Sequence, residues 1–266
     1  MADAPSTGVT RVPTRPRWVP RQHGAWAMLA VPLLLGVAAS RPSLWHLVLA
    51  AAAVDGYLAS ASAQAWLRAR RPTSRLRPLV TYTLVFIVLG PVLAIAHPSL
   101  LAAGVVLLPA GAITLLGARP GTRRDLANSL AQVVTALVLV PVAALVSGPV
   151  DVGRVTFATI VAGIYLVGTV LVVRSVLRER GNHAFAALSI GGHVLVAAGA
   201  TFATLERALP WPYTALAVTL ALRAAALPAL QRRWAGSPHP LRPIHVGIVE
   251  IVSSVGLVTI AFVWPI

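Results

Sequence analysis

The chain has no cysteine, which excludes disulfides, thiolate metal sites and cysteine nucleophiles. It also has no lysine, so all 22 basic residues are arginine. Acidic residues number only 7, and charged residues of both signs make up 11% of the 266 positions. A soluble domain carries roughly 25%, so there is too little polar surface here to coat a water-soluble globule. HExxH, Walker, GxSxG and dinucleotide-binding fingerprints are all missing, and nothing supports metal catalysis through His or Cys. No metal and no cofactor is expected.

Long apolar runs fill the space that charge leaves. Hydrophobic residues make up 57% of the chain, and a membrane-crossing helix needs ~20 mostly apolar residues. The runs read as nine spans at 24–40, 43–67, 79–97, 99–117, 126–147, 155–177, 184–204, 211–230 and 244–264. The fold class expected is all-α, a polytopic integral membrane protein. Residues 1–20, rich in Pro, Arg, Thr and Ser, form a disordered tail, and 21–266 form a single transmembrane helical domain. The first run is long for the apolar part of a signal peptide, and its removal would upset the charge alternation, so it is read as a retained span.

A net charge of +15 would suggest nucleic acid in a soluble protein. Here the arginines sit at span ends, and no nucleic-acid partner is expected. The tail and every second connection carry eighteen of them, the other connections only Arg41, Arg154 and Arg207, and Arg223 lies within a span. The positive-inside rule then places the N-terminus in the cytoplasm and the C-terminus outside, in a bacterial plasma membrane. The basic rim also has affinity for anionic lipid heads.

Ionisable groups at membrane depth are costly and mark interior sites by default. Glu250 is the sharpest case, about two turns into the last span, with Gly247 and Ser254 on the same face. It is read either as a carboxylate held by an interior arginine or as a catalytic acid, base or cation ligand. Tyr57, Ser60, Gln64 and Arg68 form one stripe in the second span, and Asp125, Asn128, Gln132 and Thr135 another in the fifth. Arg174 and Arg178 lie one turn apart at the end of the sixth, followed by Glu179 and Asn182. Such stripes point to a cavity opening on the cytoplasmic side, against the alternative of interhelical packing contacts. Asp55 has no evident partner on its own helix, so a pair with Arg223 or His193 is open, and His193 reads as a hydrogen-bonded core histidine. His183 and His245 lie near the boundary.

The first span opens Pro20-Arg21-Gln22-His23-Gly24-Ala25-Trp26-Ala27-Met28-Leu29, followed by Pro32 and Gly36. This resembles the signature of the YwiC-like family of bacterial membrane proteins, which implies a multi-pass protein over nearly the whole chain. His23 at the boundary suits donation to a phosphate or carbonyl, Gly24 permits close backbone approach, and Trp26 suits an interfacial anchor. The nine-span architecture is similar to that of the UbiA-type intramembrane prenyltransferases. Arg75-Leu76-Arg77-Pro78-Leu79 matches the tail of their first acidic motif, and Gly181 stands where their second ends. Where that family has Mg²⁺-binding aspartates, this chain has Ala61, Gln64 and Arg68, and of the second motif only Glu179 remains.

Three functions follow as expectations. The first is a UbiA-like bundle whose cavity binds an isoprenoid diphosphate or other lipid anion. Arg68, Arg174 and Arg178 would hold the phosphate, Gln64, Asn128 and Asn182 would line its site, and Glu250 or His23 would move a proton. Arginine forks would there replace the metal. The second is a small proton-coupled transporter of an organic anion, with Glu250 as the coupling carboxylate. The third is an accessory subunit with a protein partner in a membrane complex.

Overall fold

In a computed structural model the described residues are 18–20, 23–69, 73–118, 126–234 and 241–265, with the side chains of 23–25 and 74 excepted. The tail residues 1–17 and Asp125 lie outside them. Their regular structure is all helical: α1 (His23–Ala38), α2 (Trp45–Arg68), α3 (Leu76–Ala96), α4 (Gly104–Leu116), α5 (Leu126–Leu137), α6 (Leu139–Leu145), α7 (Val152–Leu177), α8 (His183–Leu205), α9 (Trp211–Arg233) and α10 (Pro243–Val263). Short 3-10 segments, Thr73–Arg75 and Pro98–Ala103, lead into α3 and α4.

Each apolar run becomes helical because hydrocarbon offers the backbone no other hydrogen-bond partner. Eight of the resulting segments are long and apolar enough to cross a membrane, counting α5 with α6 and α4 with its 3-10 lead as one each. The chain is a multi-pass membrane protein. The first helix, at 16 residues, is the short one. It extends about 24 Å, less than the ~30 Å hydrocarbon core. It is tolerated because it sits inside the bundle, packed on α2, α5, α6, α7 and α10. Val31, Pro32 and Leu35 are almost wholly enclosed there.

The fifth run, expected as one helix, is two. Pro141 has no N–H, and its ring clashes with the carbonyl four residues back, that of Leu137, where α5 ends. After the break α6 lies hard against α1. A Cβ on Gly36 would stand 2.5 Å from the carbonyl oxygen of Val140 and 2.6 Å from the Cβ of Ala143. His46 at the start of α2 joins the same contact. Its Nε2 lies 2.8 Å from the Ala143 carbonyl and its Nδ1 accepts from the Ser43 N–H at 2.9 Å. Around this centre, the α2–α3 hairpin forms one flank and α8–α9 the other.

Candidate functional site

Glu250 is the eighth residue of α10, about 10 Å from its start at 1.5 Å per residue. Arg223 lies ten residues before the end of α9, about 15 Å from the same end of the bundle. Their side chains meet: the Arg223 Nη1 donates to the Glu250 Oε2 at 2.7 Å, and each side chain is only 6% exposed. The interior carboxylate is therefore held by an interior arginine. Asp55 is the residue left over. It is buried in α2, its Oδ2 makes no hydrogen bond, and it pairs with neither Arg223 nor His193.

Two side chains of α7 complete the cluster. The Thr169 hydroxyl donates to the same Oε2 of Glu250 at 3.0 Å. Tyr165 lies one turn earlier, its hydroxyl 2.8 Å from Ser254 Oγ and 3.2 Å from the Glu250 carbonyl oxygen. Ser254 itself donates back to that carbonyl at 2.8 Å. Sequence reasoning named neither Tyr165 nor Thr169. The signal available was two polar side chains four residues apart in an apolar helix of 26, which puts them on one face. His193 of α8 places Nδ1 2.7 Å from the Ser189 carbonyl and rests against Gly168, as a hydrogen-bonded core histidine does.

The path from this cluster to the arginine-rich end is apolar. One turn towards that end stand Val246 on α10 and Leu227 on α9, with Val172 and Val176 on α7. With Ala224 they form a buried cluster, against which Leu177, Leu241 and Val249 pack. The ion pair is thus covered by a hydrocarbon layer on its arginine-rich side. A hollow at the opposite end, between Leu35, Arg154, Phe157, Tyr213 and Ala261, has a volume of about 20 Å³. That is room for a water molecule and far too little for a lipid head.

The other expected site residues fall into separate groups nearer the arginine-rich rim. On α2, Arg68 Nη2 donates to Gln64 Oε1 at 2.8 Å, and Gln64 Nε2 donates to Ser60 Oγ at 3.4 Å, a ladder at four-residue spacing. At the α7–α8 turn, Arg174 Nη2 reaches Glu179 Oε1 at 3.4 Å, and its guanidinium carbon stands 6.0 Å from the centre of the Phe185 ring. Asn182 donates to Glu179 Oε2 at 3.2 Å and caps α8 by accepting from the Phe185 N–H at 3.0 Å. Gly181, at φ +80°, makes this tight turn possible. Arg178 is exposed at the end of α7. Asn128 is buried on α5, against Gly117 at the end of α4. Among the described residues the α2 ladder and the α7–α8 network stand on helices with different main neighbours: α2 packs on α1, α3 and α4, and α7 on α1, α5, α6, α8, α9 and α10. His23 opens α1, and its side chain lies outside the described residues. Trp26 packs edge-on against Tyr57 at 5.6 Å between ring centres, tying α1 to α2.

The segment that opens with Pro20-Arg21-Gln22-His23-Gly24-Ala25-Trp26 falls within residues 19–144, which match the YwiC-like protein family. The uncharacterised protein YwiC of Bacillus subtilis (strain 168) is 30% identical over 242 residues, 89% of this chain and 93% of that one. The chain belongs to the YwiC-like family. No solved structure matches it. The stretch 19–144 of this YwiC-like chain runs from α1 into α6, ahead of the Glu250–Arg223 pair and its α7 partners, whereas the similarity to the Bacillus subtilis protein extends over 89% of the chain.

Proposed function

We propose that this protein is a proton-coupled carrier of a small organic anion in a bacterial plasma membrane, with Glu250 as the group that takes up and releases the proton. The observation that carries this reading is the Arg223–Glu250 pair, two opposite charges sealed at membrane depth between α7, α9 and α10. Charges in hydrocarbon are retained against a cost of several kcal/mol per ion, and by default they mark pathways and proton relays. A carboxylate neutralised by a neighbouring guanidinium can take up a proton when an anionic solute replaces it as the counter-charge of that guanidinium, so that no bare charge is left behind. The apolar layer above it supports the same reading, because a carrier must close its site to one side before opening it to the other.

The test is proton movement. Protein reconstituted in vesicles carrying a pH-sensitive dye is given a panel of hydroxycarboxylates, dicarboxylates and phosphate monoesters. Wild type is expected to move protons with at least one of these, and Glu250→Gln is expected to abolish that movement. Proton movement that survives in Glu250→Gln would overturn the assignment.

A second reading, a site for a lipid anion such as an isoprenoid diphosphate, is favoured by a separate observation. The Arg174 side chain is only 11% exposed, and its Nε and Nη1 are buried with no partner. A guanidinium so placed at the arginine-rich rim suits a phosphate. Vesicles in which no small anion moves protons, together with thermal stabilisation by a prenyl diphosphate that is lost in Arg174→Ala, would decide for it.

A further inference from the structure

Arg223 uses only part of its hydrogen-bonding capacity. Nη1 serves Glu250 Oε2 at 2.7 Å and, more distantly, Ser253 Oγ at 3.4 Å. Nε and Nη2 are buried and make no hydrogen bond. These two nitrogens share one edge of the guanidinium, and their N–H bonds point the same way. That edge is the side-on fork, which takes two oxygens of a planar oxyanion at once. Glu250 is held off it. Its Oε2 is shared between Arg223 Nη1 and the Thr169 hydroxyl, and its Oε1 is left unpartnered. A buried donor without a partner is expensive, and here two stand side by side in hydrocarbon.

We propose that the Nε/Nη2 edge of Arg223 is the binding site for the carboxylate, or an equivalent planar oxyanion group, of the transported solute. This rests on the carrier reading above and specifies its site. The solute and Glu250 then share one guanidinium from two edges. Two negative charges against one positive leave an excess of one in a site closed to water, and the excess is removed when Glu250 takes up a proton. The coupling is one proton for each carboxylate bound at the fork. The titratable groups facing the guanidinium are Glu250 from α10, Tyr165 from α7 and His193 from α8, the three helices packed on α9. Of these, Glu250 alone bonds it.

Nitrate is the probe, being planar and ionised at every usable pH, with chloride as the spherical control that spans no fork. The measurement is thermal stabilisation of the full-length protein in mild detergent, titrated with sodium nitrate and with sodium chloride at equal ionic strength. Glu250→Gln removes the competing charge and keeps an amide to bond Arg223 and Thr169. It is expected to bind nitrate at least tenfold more tightly than wild type, and in preference to chloride. Arg223→Lys in that background keeps the positive charge without the fork and is expected to lose the preference. A Glu250→Gln protein with no preference for nitrate, or a preference that survives Arg223→Lys, would mean that the edge holds water only, and the proposal falls. Should Glu250→Gln not purify as a single species, Glu250→Ala takes its place under the same criteria. The two readings fail separately: nitrate preference without proton movement in vesicles would reject the carrier and keep the site, and the reverse result would reject the site alone.

Discussion

At the residue scale, Arg223 and Glu250 show how far burial outweighs attraction. Replacing one member of a buried pair strands the other, which costs about 3–5 kcal/mol, whereas replacing both by apolar groups of similar size is often neutral or stabilising. Arg223→Met alone is therefore expected to lower thermal stability in detergent sharply, and Arg223→Met combined with Glu250→Leu to recover most of the loss. A double variant no more stable than the single would show that Thr169, Tyr165 and the serines carry the stability of this region instead. That Glu250 needed a partner was legible in the sequence, since a lone carboxylate inside a span is untenable. The identity of the partner was not. Arg223 stood as an open partner for Asp55, and the arginine expected at Glu250 had no number, because nothing in the spacing of three residues on α2, α9 and α10 reports which helices touch. Thr169 and Tyr165 were missed for a related reason: each is unremarked on its own helix and gains meaning only from the carboxylate it faces.

At the element scale, the short first helix and the broken fifth segment fit together. The break at Pro141 sets α6 against α1, and Gly36 is the point where they come closest. Alanine in place of a helical glycine normally helps by roughly 0.5–1 kcal/mol through the unfolded chain. At Gly36 the added methyl would overlap backbone, and overpacking of this kind costs about 1–3 kcal/mol. Gly36→Ala is expected to destabilise, while Gly199→Ala, where nothing stands within 4 Å of the new methyl, is expected to be neutral or mildly stabilising. Thermal unfolding of the two variants side by side checks this, and equal behaviour would mean that α1 and α6 are free to separate. The helices themselves were legible because length and apolarity suffice to define a span. The proline inside the fifth run was visible too, but proline is tolerated within membrane helices often enough that an interruption at Val138 could not be told from an unbroken helix.

At the scale of the whole molecule, the arginines carry the argument. Eighteen of them fall in the tail and every second connection of the sequence and three in the other connections, and a bias of this kind sets the orientation expected of a bundle as it inserts. Because the chain has no cysteine of its own, single introduced cysteines report orientation against no background. Thr73→Cys, on the exposed approach to α3, and Glu206→Cys, on the exposed turn after α8, lie at opposite faces. A maleimide that does not cross membranes is expected to label Glu206→Cys on intact cells and Thr73→Cys only after lysis. The opposite pattern would invert the molecule and put the hydrocarbon layer above the ion pair on the outer side.

That layer has an electrical consequence. While Arg223 and Glu250 remain bonded, their charges cancel and the pair is almost invisible to the membrane potential. Once they part, each charge stands alone in a region where most of the voltage drops. Carrying one elementary charge across the whole field is worth about 2.3 kcal/mol per 100 mV, so a swing of ~5 Å through a core of ~30 Å exchanges on the order of 0.4 kcal/mol with it. A side chain rotating by that distance converts voltage into a bias between closed and open pair. In the proposed carrier, the two residues beneath the apolar layer would thereby give the membrane potential a handle on when the site opens.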